Sequence, residues 1–255
     1  MPNLSHTIRK FNRFELKYLI NLHQAEALRQ ALGAYLAPDD NASGPGSYEL
    51  VSLYYDSPDY RCYWEKIDGI KFRRKLRIRH YASPAPLSAE TPVFVEIKQR
   101  LDKVTQKRRV LLPYASALQL CSQRQVPEHE PQDEAVIQEI AAFTWQYNLR
   151  PACIVRYQRQ ALVGCEYDIG LRVTFDTQLT CQAQPLDLQE PTNGLPLFPA
   201  DTVVMEIKVN ERVPYWLTEL VAAHNLQLVR ISKYCRSIEQ SQSIPSRQGQ
   251  LATAW

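Results

Sequence analysis

The fold is decided by the stretch KFRRKLRIRHY, residues 71–81, in which charged and apolar side chains alternate. Successive side chains of a β-strand point to opposite faces of the sheet. One face of this strand would carry Lys71, Arg73, Lys75, Arg77 and Arg79, and the other would carry Phe72, Leu76 and Ile78. The stretch therefore predicts a strand with one strongly cationic face.

The same alternation recurs on both sides of this stretch. Further strands are predicted at Phe14–Ile20, Tyr48–Asp56, Val93–Leu101, Val104–Leu112, Ala152–Val163, Ile169–Thr180 and Thr202–Asn210. Their polar faces carry Glu15 and Lys17, Glu96 and Lys98, Lys107 and Arg109, Tyr157 and Arg159, Arg172 and Asp176, and Glu206 and Lys208. Cations are thus concentrated on one face of many strands.

Helices are predicted between these strands. The first follows Asn21, a plausible N-cap, and others cover Pro58–Asp68, Ala115–Cys121, Asp133–Tyr147, Pro214–Asn225 and Ile231–Ser241. Residues 1–12 form an N-terminal tail, residues 13–240 a single domain, and residues 241–255 a tail that we expect to be disordered.

A closed sheet explains the cationic faces better than an open one. A solvated face normally mixes both signs of charge, whereas these faces are rich in Arg and Lys. Closure also removes exposed sheet edges. We therefore predict a β-dominated α+β fold, a closed antiparallel β-barrel of about eight strands with a polar lumen, flanked by helices. Like charges 4 Å apart repel by about 4 kcal/mol at an effective dielectric near 20, so such a lumen requires anions.

The composition limits the partners and the cellular location that are expected for the protein. The net charge of the 255 residues is only +3, which gives no strong overall field for nucleic acid or membranes. No stretch approaches 18 uninterrupted apolar residues, and residues 1–12 do not resemble a signal peptide. The six cysteines form no C-x-x-C pair, so we expect free thiols and a reduced, cytoplasmic location.

Several short motifs occur in a characteristic order along the chain. They are RFELKY (13–18), YYDS (54–57), KLRIR (75–79), EIK (96–98), KRR (107–109), YQR (157–159), LRVTFDT (171–177), EIK (206–208) and SKY (232–234). This set resembles the VTC domain, the catalytic domain of the vacuolar transporter chaperone polyphosphate polymerase. That domain belongs to the triphosphate tunnel metalloenzyme, or CYTH-like, superfamily.

The resemblance implies roles for individual residues. Catalytic contacts to the transferring phosphate would come from Arg77, Arg79, Arg159, Arg172 and Lys98. Substrate binding would involve Lys17, Lys75, Lys107, Arg109, Tyr157, Lys208, Ser232 and Lys233. Glu206 would hold Mn²⁺ or Mg²⁺. The chain departs from the family at Arg100, where the eukaryotic enzyme has a histidine.

The function implied is transfer of the γ-phosphoryl group of ATP to a growing inorganic polyphosphate chain. Hydrolysis of tri- or polyphosphate is an alternative, because Glu15, Glu96 and Asp176 could carry a second metal. A non-catalytic polyphosphate or nucleotide sensor is another. Nucleic acid and direct membrane insertion are not expected. Arg73 and Lys75 are expected to be structural partners of Glu15 or Glu96, and Tyr54 a packing residue.

Overall fold

The computed structural model describes residues 13–39, 46–102, 104–165, 168–190, 194–210 and 212–241. The predicted N-terminal tail, residues 1–12, lies outside these ranges, as does all of the predicted C-terminal tail, residues 241–255, except Ser241. In the described part of the chain the strands are β1 (Arg13–Asn21), β2 (Leu36–Pro38), β3 (Ser47–Asp56), β4 (Phe72–Tyr81), β5 (Pro92–Leu101), β6 (Val104–Pro113), β7 (Arg150–Gly164), β8 (Arg172–Gln182), β9 (Leu195–Pro196) and β10 (Thr202–Asn210). The helices are α1 (Leu22–Leu32), α2 (Arg61–Ile67), α3 (Tyr114–Cys121), α4 (Glu134–Gln146), α5 (Tyr215–Ala223) and α6 (Lys233–Gln240).

All ten strands belong to one antiparallel sheet. Their order is β2-β7-β3-β4-β5-β6-β1-β10-β8-β9, and β7 also pairs with β8. Between β6 and β1, however, the only pairing among the described residues joins Arg13 and Thr105. The prediction of a strand-dominated antiparallel fold with flanking helices is therefore confirmed. The continuous closed barrel is not, because the hydrogen-bonded ladder is interrupted at this seam.

Local sequence explains where several elements begin and end. Asn21 caps α1 as predicted: its side chain accepts a hydrogen bond from the Gln24 backbone N–H at 2.8 Å, and the Gln24 side chain accepts one from the Asn21 backbone N–H at 3.1 Å. This reciprocal pair satisfies two amide groups that the first helical turn leaves free. Gly69 follows α2 with a φ of 72°, a left-handed conformation that suits a residue without a Cβ.

The predicted start of β8 is wrong by three residues. Ile169 is 81% exposed and precedes Gly170, which has a φ of 97°, so the chain turns here and the strand begins at Arg172. The short strands β2 and β9 were not predicted. Each contains a proline, which weakens the alternation signal and suits a strand at the sheet edge.

Apolar side chains on the outer face of the sheet pack against helices in two separate cores. One core joins β3, β4, β5 and β6 to α3 and α4, and it includes Leu53, Ile78, Ile97 and Phe143. The other joins β1, β8 and β10 to α1 and α5. The helices therefore cover the outer face, and the charged residues between these apolar positions are directed to the inner face.

Helix α6 packs on the inner face rather than the outer one. Tyr234, Cys235 and Ile238 of this helix share a buried cluster with Tyr54 and Val204, which lie on the inner faces of β3 and β10. Burying such apolar groups stabilises the fold by about 1.5–3 kcal/mol for each large side chain. One end of the space enclosed by the curved sheet is thereby filled, and the first turn of α6 faces the charged side chains.

Two expectations from composition can be compared with the structure. The six cysteines are all free thiols, as expected, and only Cys165 is exposed. None of the helices in the described ranges is long and apolar enough to cross a membrane.

Candidate active site

A group of ion pairs centred on Glu206 joins β1, β7, β8, β10 and α6. The Glu206 carboxylate lies 3.1 Å from Lys17 Nζ, 3.1 Å from Lys208 Nζ and 2.9 Å from Lys233 Nζ. Arg159 is 4.0 Å away. These cations come from four separate elements, so the fold gathers them around one acid.

Two further carboxylates complete this group. Asp176, which is fully buried, accepts two hydrogen bonds from Arg159 at 2.6 and 2.7 Å and lies 2.6 Å from Lys233 Nζ. Glu15 lies 2.8 Å from Lys98 Nζ, across the weakly paired seam. The term "three-acid cluster" is used for Glu15, Asp176 and Glu206 together with Lys17, Lys98, Arg159, Lys208 and Lys233.

Burial and neighbouring charges shift the pKa values of this cluster in opposite directions. Burial alone would raise the pKa of Glu206, but Lys17, Lys233 and Lys208 outweigh it and hold the pKa well below its usual value. Burial lowers the pKa of Lys208 to about 7, because Glu206 only partly compensates and Arg159 repels the ammonium. For Lys233 burial is outweighed by Asp176 and Glu206, so its pKa is raised. Lys208 therefore holds its proton less firmly than Lys17 and Lys233, whose pKa values are raised.

A second group of ion pairs surrounds Glu96 of β5. Arg77 donates two hydrogen bonds to Glu96 at 2.6 and 2.8 Å, Lys107 Nζ lies 3.3 Å from it, and an Arg79 nitrogen lies 3.8 Å from it. Arg77 also donates to the Tyr54 hydroxyl at 2.9 Å. The term "Glu96 cluster" is used for Glu96, Arg77, Arg79 and Lys107.

Tyr157 connects the two clusters. Its hydroxyl accepts a hydrogen bond from Arg79 of the Glu96 cluster at 3.2 Å. Its ring contacts the three-acid cluster, with Arg159 Cζ at 5.1 Å and Lys233 Nζ at 4.9 Å from the ring centroid. Cations over an aromatic face are attracted by the ring quadrupole. The charged inner faces of seven strands therefore meet in one continuous site.

The combined site carries an excess of positive charge. The two clusters contain eight cations and four carboxylates, which leaves a formal excess of four positive charges. The deepest cations, Arg159 and Lys233, have side chains only 6% and 8% exposed, whereas Lys98 and Lys107 are 38% and 46% exposed. A linear anion entering from the exposed lysines would meet increasingly buried cations.

The beginning of α6 places a hydroxyl next to these cations. Ser232 caps α6 and accepts a hydrogen bond from Lys75 Nζ at 2.7 Å. Lys75 Nζ also lies 3.4 Å from Cys235 Sγ. The expectation that Lys75 pairs with Glu15 or Glu96 is therefore wrong. The same holds for Arg73, which donates instead to the Ile70 carbonyl oxygen at 2.7 Å.

Two of the predicted residues lie at the border of the site. Arg172 pairs with Asp39 at 2.5 Å and donates to the Tyr48 hydroxyl at 2.9 Å, so it is not part of either cluster. Arg109 stacks on Phe94, with its Cζ 4.2 Å from the ring centroid. The structure thus gathers the remaining predicted residues in or beside the two clusters and leaves these two arginines outside them.

The family comparison agrees with the order of motifs in the sequence. A family model described as the VTC domain matches residues 12–242, which is most of the chain. The chain belongs to the VTC domain family. Within this VTC domain the matched region contains all the strands and helices that form the two clusters.

One curated relative of this VTC domain is the vacuolar transporter chaperone complex subunit 4 of Trypanosoma brucei brucei. The two sequences are 26% identical over 221 residues, an alignment that covers 74% of the VTC domain chain. It covers 28% of the relative, so the chain spans little more than a quarter of that protein's length.

Solved structures show only weak likeness. A protein of Bacillus halodurans, named for a proposed adenylate cyclase activity, has a TM-score of 0.48 and 13% identity, covering 90% of this chain and 98% of the other. The PH1819 protein of Pyrococcus horikoshii has a TM-score of 0.46 and 12% identity, covering 89% and 99%. Both TM-scores are too low to support a statement about fold or function.

The carboxylates of the VTC domain bear on the expected Mn²⁺ or Mg²⁺. No group of three or more His, Cys, Asp or Glu side chains in the described ranges is arranged to hold a metal ion. Glu206 is ionised, as a metal ligand must be, and its oxygens face three lysines. Mg²⁺ commonly binds through one or two carboxylates and completes its shell with substrate phosphates and water. Glu206 therefore fits a metal that arrives with a phosphate substrate.

Tyr54 packs as expected, in the buried cluster with Tyr234, but sequence reasoning missed the role of its hydroxyl. That hydroxyl accepts a hydrogen bond from Arg77 within the Glu96 cluster. Burial would raise the pKa of this phenol, but Arg77 and Arg79 lower it below its usual value. The signal was present in the alternation of β3: Tyr54 is paired with Arg77 across the sheet, so both side chains share the inner face.

Proposed function

We propose that this VTC domain is a polyphosphate polymerase module that transfers the γ-phosphoryl group of ATP to the end of an inorganic polyphosphate chain. The excess of four positive charges in a confined site is the observation that carries the proposal. Membership of the VTC domain family supports it, as does the likeness to a vacuolar transporter chaperone subunit.

The residues suit phosphoryl transfer without a protein nucleophile. An oxygen of the terminal chain phosphate attacks the γ-phosphorus and forms the new P–O bond. The bond from the γ-phosphorus to the β–γ bridging oxygen breaks, and ADP leaves with its electron pair. The attacking oxygen is already ionised, so positioning and charge stabilisation are the main requirements.

Individual residues have distinct parts in this proposal. Arg77, Arg79 and Arg159 hold oxygens of the transferring group, because guanidinium groups bind phosphate oxygens in pairs. Arg172 is placed among them by the family resemblance alone, and its pairing with Asp39 gives it a position farther out. Lys98 and Lys107, the more exposed lysines, attract the incoming anion. The remaining predicted phosphate contacts come from Lys17, Lys75, Lys208, Lys233, Ser232 and Tyr157. Arg109, which lies over Phe94, contacts the substrate outside the two clusters.

Glu206 is proposed to hold the Mn²⁺ or Mg²⁺ ion, with Glu15 as a further acid of the same cluster. The bound ion would neutralise charge on the phosphates. Binding of a cation there requires Lys17, Lys208 and Lys233 to turn toward phosphate oxygens, which a polyanion would favour. We also propose that the curved sheet forms a tunnel around the bound polyphosphate. The proposed location of the protein is the cytoplasm.

The test is to incubate the purified protein with ATP and Mn²⁺ and to analyse the products by gel electrophoresis and chromatography. Long polyphosphate with stoichiometric ADP is expected. Free phosphate without polymer would indicate a hydrolase, and tight binding without turnover would indicate a sensor. An Arg159→Met variant serves as a negative control, since it removes the bidentate partner of Asp176. If the wild type produces no polymer, the polymerase proposal is wrong.

A further inference from the structure

Aromatic side chains extend the inner face of the sheet beyond the Glu96 cluster. Tyr48 and Tyr81 stack with ring centroids 5.6 Å apart, and Tyr81 meets Phe94 edge to face at 6.0 Å. The guanidinium of Arg109 covers Phe94 at 4.2 Å from its ring centroid. We call these four residues the aromatic platform. Tyr81, Phe94 and Arg109 are only partly buried, so the platform reaches solvent.

The platform lies directly beside the proposed phosphate site. Phe94 is paired with Arg79 across β4 and β5, and Arg109 is paired with Glu96 across β5 and β6. Tyr81 follows Arg79 on the same face of β4, and positions two residues apart on a strand are about 7 Å apart. A ligand with phosphates at the Glu96 cluster could therefore place a planar group on the platform.

Arg109 differs from the other cations of this region in how it is held. Arg77, Arg79 and Lys107 all contact Glu96, whereas Arg109 has no carboxylate partner within the described ranges. The guanidinium of Arg109 instead lies over the Phe94 ring. A guanidinium plane over an aromatic ring leaves its second face available, and nucleic-acid bases stack well on arginine planes and aromatic rings.

We propose that the aromatic platform binds the base of the nucleoside triphosphate, with Arg109 as the residue on which the base stacks. The inference rests on the proposed function and adds the part of the site that holds the base, by which a nucleotide is distinguished from inorganic triphosphate. The base lies on Arg109 and Phe94, and the triphosphate extends toward Arg77 and Arg79. Tyr81 and Tyr48 support the platform from behind.

The experiment compares the affinities of ATP and inorganic tripolyphosphate by isothermal titration calorimetry. Both ligands present a triphosphate, but only ATP has a base. Arg109→Lys keeps the charge and removes the planar group, and Phe94→Leu keeps apolar volume and removes the ring. Base stacking is typically worth about 1–3 kcal/mol, or roughly 5- to 150-fold in affinity. We expect each variant to bind ATP about tenfold more weakly while tripolyphosphate affinity stays within about twofold.

Tripolyphosphate binding also reports that each variant is folded. Phe72→Leu is the matched control, because Phe72 lies on β4 but is 42% exposed on the outer face, away from the clusters. It should change neither affinity. The platform proposal would be wrong if Arg109→Lys lost affinity for ATP and tripolyphosphate equally. It would also be wrong if neither platform variant lost affinity for ATP. Failure of the wild type to bind tripolyphosphate would overturn the proposed function and the platform with it. Base-dependent ATP binding without polymer would contradict only the polymerase.

Discussion

Replacement of Glu206 by Gln should destabilise the protein when no anion is bound. The carboxylate faces Lys17, Lys208 and Lys233 at 2.9–3.1 Å, and its side chain is only 6% exposed. The amide keeps the shape but removes the charge, which raises the formal excess in the two clusters from four to five. Removing one member of a buried ion pair typically costs about 3–5 kcal/mol. The partner lysines retain some solvent access, so we expect about 3 kcal/mol.

The measurement is thermal unfolding with and without inorganic tripolyphosphate. For a protein of this size 1 kcal/mol corresponds to about 2–4 °C in Tm, so the variant should melt roughly 6–12 °C below the wild type. Tripolyphosphate supplies the missing negative charge. At about 100 times its Kd it should restore about 2.7 kcal/mol through binding to the native state.

Glu26→Gln is the matched control for this prediction. Glu26 pairs with Arg29 at 2.7 Å on exposed α1, with a side chain 57% exposed. Surface pairs contribute about 0–1 kcal/mol, so its Tm should change by only a few degrees. A Glu206→Gln protein that melts with the wild type in the absence of anion would refute the reasoning. So would a variant whose Tm fails to rise when tripolyphosphate is added.

Two further predictions concern ligand binding. Because the pKa of Lys208 is lowered to about 7, this lysine is charged below pH 7 and neutral above it, and a bound polyanion favours the charged form. Tripolyphosphate affinity should therefore fall between pH 6 and pH 9, and the fall should be smaller in Lys208→Met. Calorimetry of both proteins at both pH values measures this difference. Identical pH profiles would contradict the assignment of the titration to Lys208. Arg77→Ala should weaken tripolyphosphate binding by at least about tenfold, since a charge-assisted hydrogen bond contributes about 1.5–3 kcal/mol. Its affinity should also depend less on salt, which titrations at two ionic strengths would reveal, and a wild-type affinity would remove Arg77 from the site.

The strands and their inner faces were predictable because both follow from a local period of two. For β4 and β10 the predicted bounds agree with the structure to within a residue. The cations Lys17, Arg159 and Lys233 could likewise be assigned to the site, in part through the order of the motifs. The edge strands β2 and β9 could not be predicted, since two or three residues that include a proline show too little alternation to be recognised as a strand.

The pairing of charges could not be predicted, because it depends on how far each strand is shifted against the next. Lys98 contacts Glu15 although β5 and β1 are separated by β6 in the sheet. Lys75 donates a hydrogen bond to Ser232 because α6 lies on the inner face of the sheet. The sequence of α6 predicts an amphipathic helix but not the face of the sheet on which it packs. Both facts are consequences of the curvature of the sheet. The alternation of residues in a sequence carries no information about how a sheet curves, so the long-range partners of these side chains could not be predicted.

The excess of cations is itself a physical reason to expect an anionic ligand. Four carboxylates hold eight cations in place, so the groups that bind phosphate are already oriented before a ligand arrives. Repulsion among the unmatched cations opposes folding, and net stability of a domain is only about 5–15 kcal/mol. A polyphosphate chain removes that repulsion by adding charge without adding another buried cation. The same electrostatic free energy that destabilises the free protein would thus favour binding, and it would do so most for long linear anions that reach both clusters.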